Sequence, residues 1–251
     1  INSCFDFKNK KLQKNLLDNL KYQKKMNPQL FIAPKQIASN CWFNTMFVSF
    51  FFSDKGIKFF RFFRELMIMG KTIQGNSIPY NIHRLLFILN LFIESSYNYN
   101  ENQYNDILQK LGIKNRNTNF FIVELFNIIN NISNSHNKDS VLYSEIPNIN
   151  DAGNPLYYYL GIMKYLKYNI LKIQIFKINM ELSKIKINKY LTSKLLRLKD
   201  IPDILIFEDY QSKSNYSNTI EIRHNDKVFK WQVDSIIITN RDFYEKNSNK
   251  H

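Results

Sequence analysis

Asn40-Cys41-Trp42-Phe43-Asn44-Thr45-Met46-Phe47-Val48-Ser49-Phe50-Phe51-Phe52 is a nearly unbroken apolar run, entered from the polar segment Lys35-Gln36-Ile37-Ala38-Ser39. A run of this length is long for a strand and predicts a helix buried on most of its surface. The polar loop in front of it puts Cys41 at the helix N-terminus. Amide dipoles there favour negative charge and make a thiol easier to ionise. Gln36 lies five residues upstream, in the loop that would flank such a thiolate. Its side-chain amide can donate to an oxyanion alongside the backbone N–H of Cys41. A cysteine in apolar surroundings is also an ordinary small core residue, so placement alone leaves both roles open.

Outward from this run, Leu12–Met26 reads as a helix or an ordered arm, and Gln29–Ile32 as a short extended piece that Pro34 redirects. Asp54-Lys55-Gly56 breaks the apolar run. Ile57–Met69 then has the spacing of an amphipathic helix, with Gly70 as its stop. Within it, Phe59-Phe60-Arg61-Phe62-Phe63-Arg64 reads as core packing with the arginines reaching outward, rather than as a base-stacking or membrane stripe. Further helices are predicted near Pro79–Glu94, Tyr104–Leu111 and Phe120–Ile132. The second half changes character. Ile170–Phe176 and Thr219–Arg223 alternate with period two, Ile204–Phe207 is a short apolar run, and Val228–Thr239 is rich in strand formers. Asn225-Asp226 predicts a hairpin turn. Helices first and strands later is the α+β pattern.

Composition narrows the function classes. The chain has 251 residues, 44% of them hydrophobic and 15% aromatic, which is ample for a packed core. The formal net charge of +14 raises nucleic acid as a partner, but as the second choice. The densest basic cluster is only Lys8-Asn9-Lys10-Lys11, and Lys, Asn and Ile are all over-used together, as in A/T-rich coding DNA. Two cysteines, Cys4 and Cys41, make neither a disulfide framework nor a Cys4 zinc site, which points to a reducing, intracellular compartment. No metal-ligand spacing and no glycine-rich phosphate loop is present, so no cofactor is expected. Arg61 and Arg64 interrupt the most hydrophobic region, so no membrane span is expected.

The run Asn40–Phe47 resembles the cysteine box of the ubiquitin-specific proteases, Asn-Thr-Cys-Tyr-Met-Asn-Ser followed by apolar residues. Cys41 matches the nucleophile, Trp42 the aromatic, Asn44 the asparagine and Thr45 the small hydroxyl. Ile201-Pro202-Asp203-Ile204-Leu205-Ile206 is similar to that family's Leu-Pro-x-x-Leu strand. Trp231-Gln232-Val233-Asp234-Ser235-Ile236-Ile237-Ile238 is similar to its Tyr-x-Leu-x-Ala-Val-Val strand, which precedes the catalytic histidine. The resemblance covers these three patches, and Thr72–Lys199 resembles nothing recognisable. It implies a papain-like cysteine protease fold, with a helical lobe over about 35–160, an antiparallel β lobe over about 161–251 and an N-terminal arm over 1–34. It also implies Cys41, His251 and Gln36 as catalytic residues, with Trp42 and Asn40 touching substrate. The substrate would be a protein, either ubiquitin, a ubiquitin-like modifier or a viral precursor.

The chain departs from the family in two ways. The family's zinc-binding cysteine pairs are missing. The residue that orients the histidine follows it in the family, so it is expected beyond His251, and the start at Ile1 and stop at His251 read as a trimmed chain. Of the other histidines, His224 at the hairpin is the competitor to His251 as base. His83 reads as a satisfied helical residue and His136 as solvated. The rival functions are a catalytically inactive relative acting as a structural or binding protein, and a basic nucleic-acid-binding protein.

Overall fold

A computed structural model of the chain describes residues 6–21, 31–37, 40–97, 109–110, 117–133, 155–168, 170–178, 184–209 and 218–236. They form a mixed helix-and-strand, α+β structure in two compact units, one holding the described residues up to Tyr168 and the other those from Ile170 to Ile236. The predicted boundary near residue 160 falls inside a helix.

The first unit is helical and built on phenylalanine. Its elements are α1 (Lys10–Lys21), α2 (Cys41–Phe51), α3 (Gly56–Phe59), α4 (Arg61–Met69), α5 (Tyr80–Ser96), α6 (Asn119–Ser133) and α7 (Pro155–Tyr165). Helix α2 buries Trp42, Phe43, Met46, Phe47, Phe50 and Phe51, as its apolar run predicts. Phe50 lies flat on Phe60, with centroids 3.6 Å apart and planes 8° from parallel. Tyr159 of α7 meets both rings edge-on, at 5.1 and 5.2 Å. Phe47 meets Phe92 of α5 edge-on at 5.2 Å, and Phe92 meets Phe121 of α6 at 5.7 Å. Edge-on pairs put a ring's positive rim against its neighbour's negative face, worth about 0.5–1.5 kcal/mol each beyond the area buried.

Predicted helix Ile57–Met69 is present in two pieces, broken at Phe60, whose ring is the one stacked on Phe50. It stops at Gly70, which adopts φ +63° while its N–H bonds to Leu66 O at 2.8 Å. Only glycine takes this left-handed cap without strain, and a side chain here would also run into the His83 ring. Segment 1–34, expected as an arm, contributes α1 to the core. Leu16 and Leu20 pack with Ile68 and Phe87, and Gln13 Nε2 donates to Ile68 O at 3.1 Å. The helix predicted at Tyr104–Leu111 lies almost wholly outside the described residues.

One arginine corrects the sequence reading. Arg61 does point outward and pairs with Glu65 at 2.9 Å. Arg64 is buried, only 3% exposed, with Nε donating to Asn90 Oδ1 at 3.0 Å and Nη2 paired to Glu94. Asn90 and Glu94 stand one turn apart on the same face of α5, so they give a buried guanidinium two acceptors at once. Arg64 Nη1 and Asn90 Nδ2 have no hydrogen-bond partner.

The second unit holds β1 (Ile173–Ile178), α8 (Lys184–Leu195), β2 (Ile204–Asp209), β3 (Thr219–His224) and β4 (Lys227–Gln232). The hairpin β3–β4 is antiparallel with Thr219 opposite Gln232, and it turns at Asn225 and Asp226 with φ +48° and +58°. Positive φ at both positions is the geometry that matches the twist of paired strands, and Asn and Asp tolerate it. The expected antiparallel lobe is corrected by the other pair: β1 and β2 run parallel, Ile173 beside Ile204. A parallel pair needs a crossover rather than a tight turn, and α8 supplies a helix between the two strands. Phe176, Leu191, Leu195, Ile220 and Ile222 form this unit's core, drawing on β1, α8 and β3. Trp231 packs against it and donates Nε1–H to Pro202 O at 3.1 Å. β4 ends at Gln232, short of the β-rich stretch predicted to Thr239; Val233–Ile236 carry no strand and 237–239 lie outside the described residues.

Candidate active site

Cys41 is the first residue of α2 and is half-buried, whereas the next two residues, Trp42 and Phe43, are fully packed. Asn40, in the N-cap position, makes no side-chain hydrogen bond to the helix. Its amide is used to hold the loop in front. Oδ1 accepts from Ile37 N–H at 2.8 Å, while Nδ2 donates to Lys35 O at 3.2 Å and to Thr118 Oγ1 at 3.0 Å. Asn44, one turn into α2, donates to the same Lys35 carbonyl at 3.2 Å and accepts from the Thr118 hydroxyl. Lys35 also bridges to Asn117 just ahead of α6. Loop 35–37 is thereby fixed against the starts of both α2 and α6, and Gln36 stands on it, exposed.

Trp42 and Asn40, expected to touch substrate, are 1% and 0% exposed. This corrects their expected role. The indole is filling the core and the amide is wholly engaged with the loop, so neither offers a surface to a ligand. What sequence reasoning missed is Thr118, whose hydroxyl joins Asn40 to Asn44 from far along the chain.

The histidines divide by location. His251 and His136 lie outside the described residues, as does Cys4. His224 is half-buried at the end of β3, in the second unit. His83 is buried in the first unit, with Nε2 3.3 Å from Ile68 O and its ring edge-on to Phe7 at 4.9 Å. Burial holds its pKa below the ordinary value, the Ile68 carbonyl pulls it back up, and the Lys8 charge lowers it further.

Two clefts open elsewhere on the first unit. One of about 420 Å³ is lined by Thr72, Ser77, Pro79 and Tyr165 among others, and one of about 550 Å³ lies beside α1; neither includes Cys41 or Gln36. Among the described residues no group of His, Cys, Asp and Glu is arranged to hold a metal, and no helix is long and apolar enough to cross a membrane. Compared with protein-family models, curated proteins and solved structures, the chain matches none of them.

Proposed function

We propose that the chain is a papain-like cysteine peptidase with Cys41 as nucleophile, acting on a protein substrate of the ubiquitin or ubiquitin-like class or on a viral precursor. One observation carries it: a half-buried cysteine at the first position of a helix whose aromatic rings are buried, behind a loop fixed by a buried asparagine. Such an element holds a nucleophile in place on a rigid scaffold. The resemblance of Asn40–Phe47 to the ubiquitin-specific protease box supports the same assignment.

In this mechanism His251 takes the Cys41 proton. The thiolate attacks the scissile carbonyl carbon, and Gln36 with the Cys41 N–H holds the oxyanion. The C–N bond breaks as the imidazolium returns the proton to the leaving amine. Water then hydrolyses the thioester, releasing the acid and restoring the thiol.

The test is site-resolved alkylation of the full chain with iodoacetamide across pH, followed by a peptide aldehyde and a ubiquitin C-terminal electrophile. Cys41 labels at least tenfold faster than Cys4 at neutral pH, and Gln36→Ala loses about 10²–10³ in kcat while Cys41 still alkylates. Equal, slow labelling of both thiols overturns the proposal and leaves the catalytically inactive relative.

A further inference from the structure

The lysines that look scattered in sequence converge in space. The cleft beside α1 is lined by Lys8, Lys10, Lys14 and Lys21 from the N-terminal segment and by Lys71 from the turn after α4, with Asp18 as the sole acid among the described residues that line it. Asp18 is taken by Lys21 at 3.0 Å. Lys10, Lys14 and Lys71 make no ion pair with any described residue. A concave surface with this imbalance focuses positive potential far more than the same charges on a convex face.

Helical geometry orders the amines. Lys10, Lys14 and Lys21 fall on one stripe of α1, while Leu16 and Leu20 on another face pack into the core. From Lys10 to Lys21 the stripe is about 16 Å long at 1.5 Å per residue. That is the length of about five nucleotides of a stacked strand at 3.4 Å each. Tyr80 lines the same cleft, is 57% exposed, and has the Lys8 ammonium over its ring, 4.8 Å from the centroid, a contact that a base stacking on that face displaces toward its own phosphate. Phe7 supports the ring from within, its centroid 5.4 Å away. An exposed aromatic held in place beside a row of amines is the pairing that binds single strands, the amines following phosphates and the ring stacking a base. An acidic peptide would use the amines and leave the ring idle.

We propose that this cleft binds single-stranded nucleic acid without sequence preference. Lys8, Lys10, Lys14 and Lys71 contact phosphates and Tyr80 stacks a base. The site is independent of Cys41.

The test is fluorescence anisotropy of the full chain with a labelled 15-nucleotide oligo-dT between 50 and 200 mM salt. Four phosphate contacts give a slope of log K against log salt of about −3. Lys10→Glu with Lys14→Glu weakens binding at least tenfold and flattens that slope. Tyr80→Ala weakens it about 5- to 100-fold and leaves the slope alone. The control is Lys227→Glu with Lys230→Glu on the β4 strand, the same charge change at residues that do not line the cleft, which leaves binding intact. Equal losses from both lysine pairs would show attraction to net charge alone and overturn the site. Inorganic polyphosphate competing as well as oligo-dT, together with an inert Tyr80→Ala, would overturn the nucleic-acid assignment. Absence of measurable binding at 50 mM salt would also sink it.

Discussion

Asn40→Ala is the substitution most informative about how the cysteine loop is built. Asn40 serves three groups, but two of them keep another partner. Lys35 O still accepts from Asn44, and the Thr118 hydroxyl still donates to Asn44. Ile37 N–H is left with no acceptor, which costs about 1–3 kcal/mol for a partly buried amide, and the lost amide leaves a small void costing about 1 kcal/mol more. The expected loss is therefore about 3 kcal/mol, confined to the first unit. Each unit holds one of the two tryptophans, Trp42 in the first and Trp231 in the second. A Trp231→Phe background makes the buried Trp42 the sole indole, reporting on the start of α2 alone. In urea the midpoint should fall by about 1–3 M at an ordinary slope of about 1–3 kcal/mol per M. Asn40→Asp is a sharper version, because it turns the donor facing Lys35 O into an acceptor. It should be at least as damaging at pH 7 and recover as its carboxyl protonates. A midpoint shift under about 0.5 M for Asn40→Ala would refute the idea that this amide fixes the loop.

Two further outcomes can be checked by the same titrations. Arg64→Ala leaves Glu94 and Asn90 without their buried partner and should cost about 3–5 kcal/mol, whereas replacing Arg64 and Glu94 together by Met and Leu should recover most of the loss. His83 has a folded pKa below its unfolded value, so the unfolded chain binds the extra proton. Stability from this group is complete above about pH 6.5 and declines as pH falls through the folded pKa. His83→Gln should flatten that part of the stability–pH curve, and an unchanged curve would refute it.

The features legible in sequence were those set by local pattern. The apolar run from Cys41 gives α2 because only a buried helix hides so many rings in succession. Gly70 stops α4, and Asn225-Asp226 turns the hairpin, because few residues accept positive φ. The helix α8 was not legible: Lys184-Ile185-Lys186-Ile187 alternates like a strand, and the helical outcome is tied to Leu191 and Leu195 reaching the core of the second unit. The parallel pairing of β1 with β2 was hidden because a period of two gives the faces of a strand, never the direction of its neighbour. Around Cys41 the nucleophile candidate and Gln36 were visible as spacing. The burial of Asn40 and Trp42 was not, since it depends on Thr118 and on packing that exists only in the folded chain. The lysine cleft was invisible for the same reason, as Lys71 meets α1 only after folding.

The buried Arg64 also fixes how α4 and α5 are aligned. Their shared interface is otherwise largely greasy, and greasy ridges slide past one another with little penalty. A slip of one turn toward the start of α5 would put Leu86 and Asn90 where Asn90 and Glu94 stand, so the buried guanidinium would lose its carboxylate and keep a single neutral acceptor. That single side chain therefore selects one register from several that hydrophobic packing alone would leave close in energy.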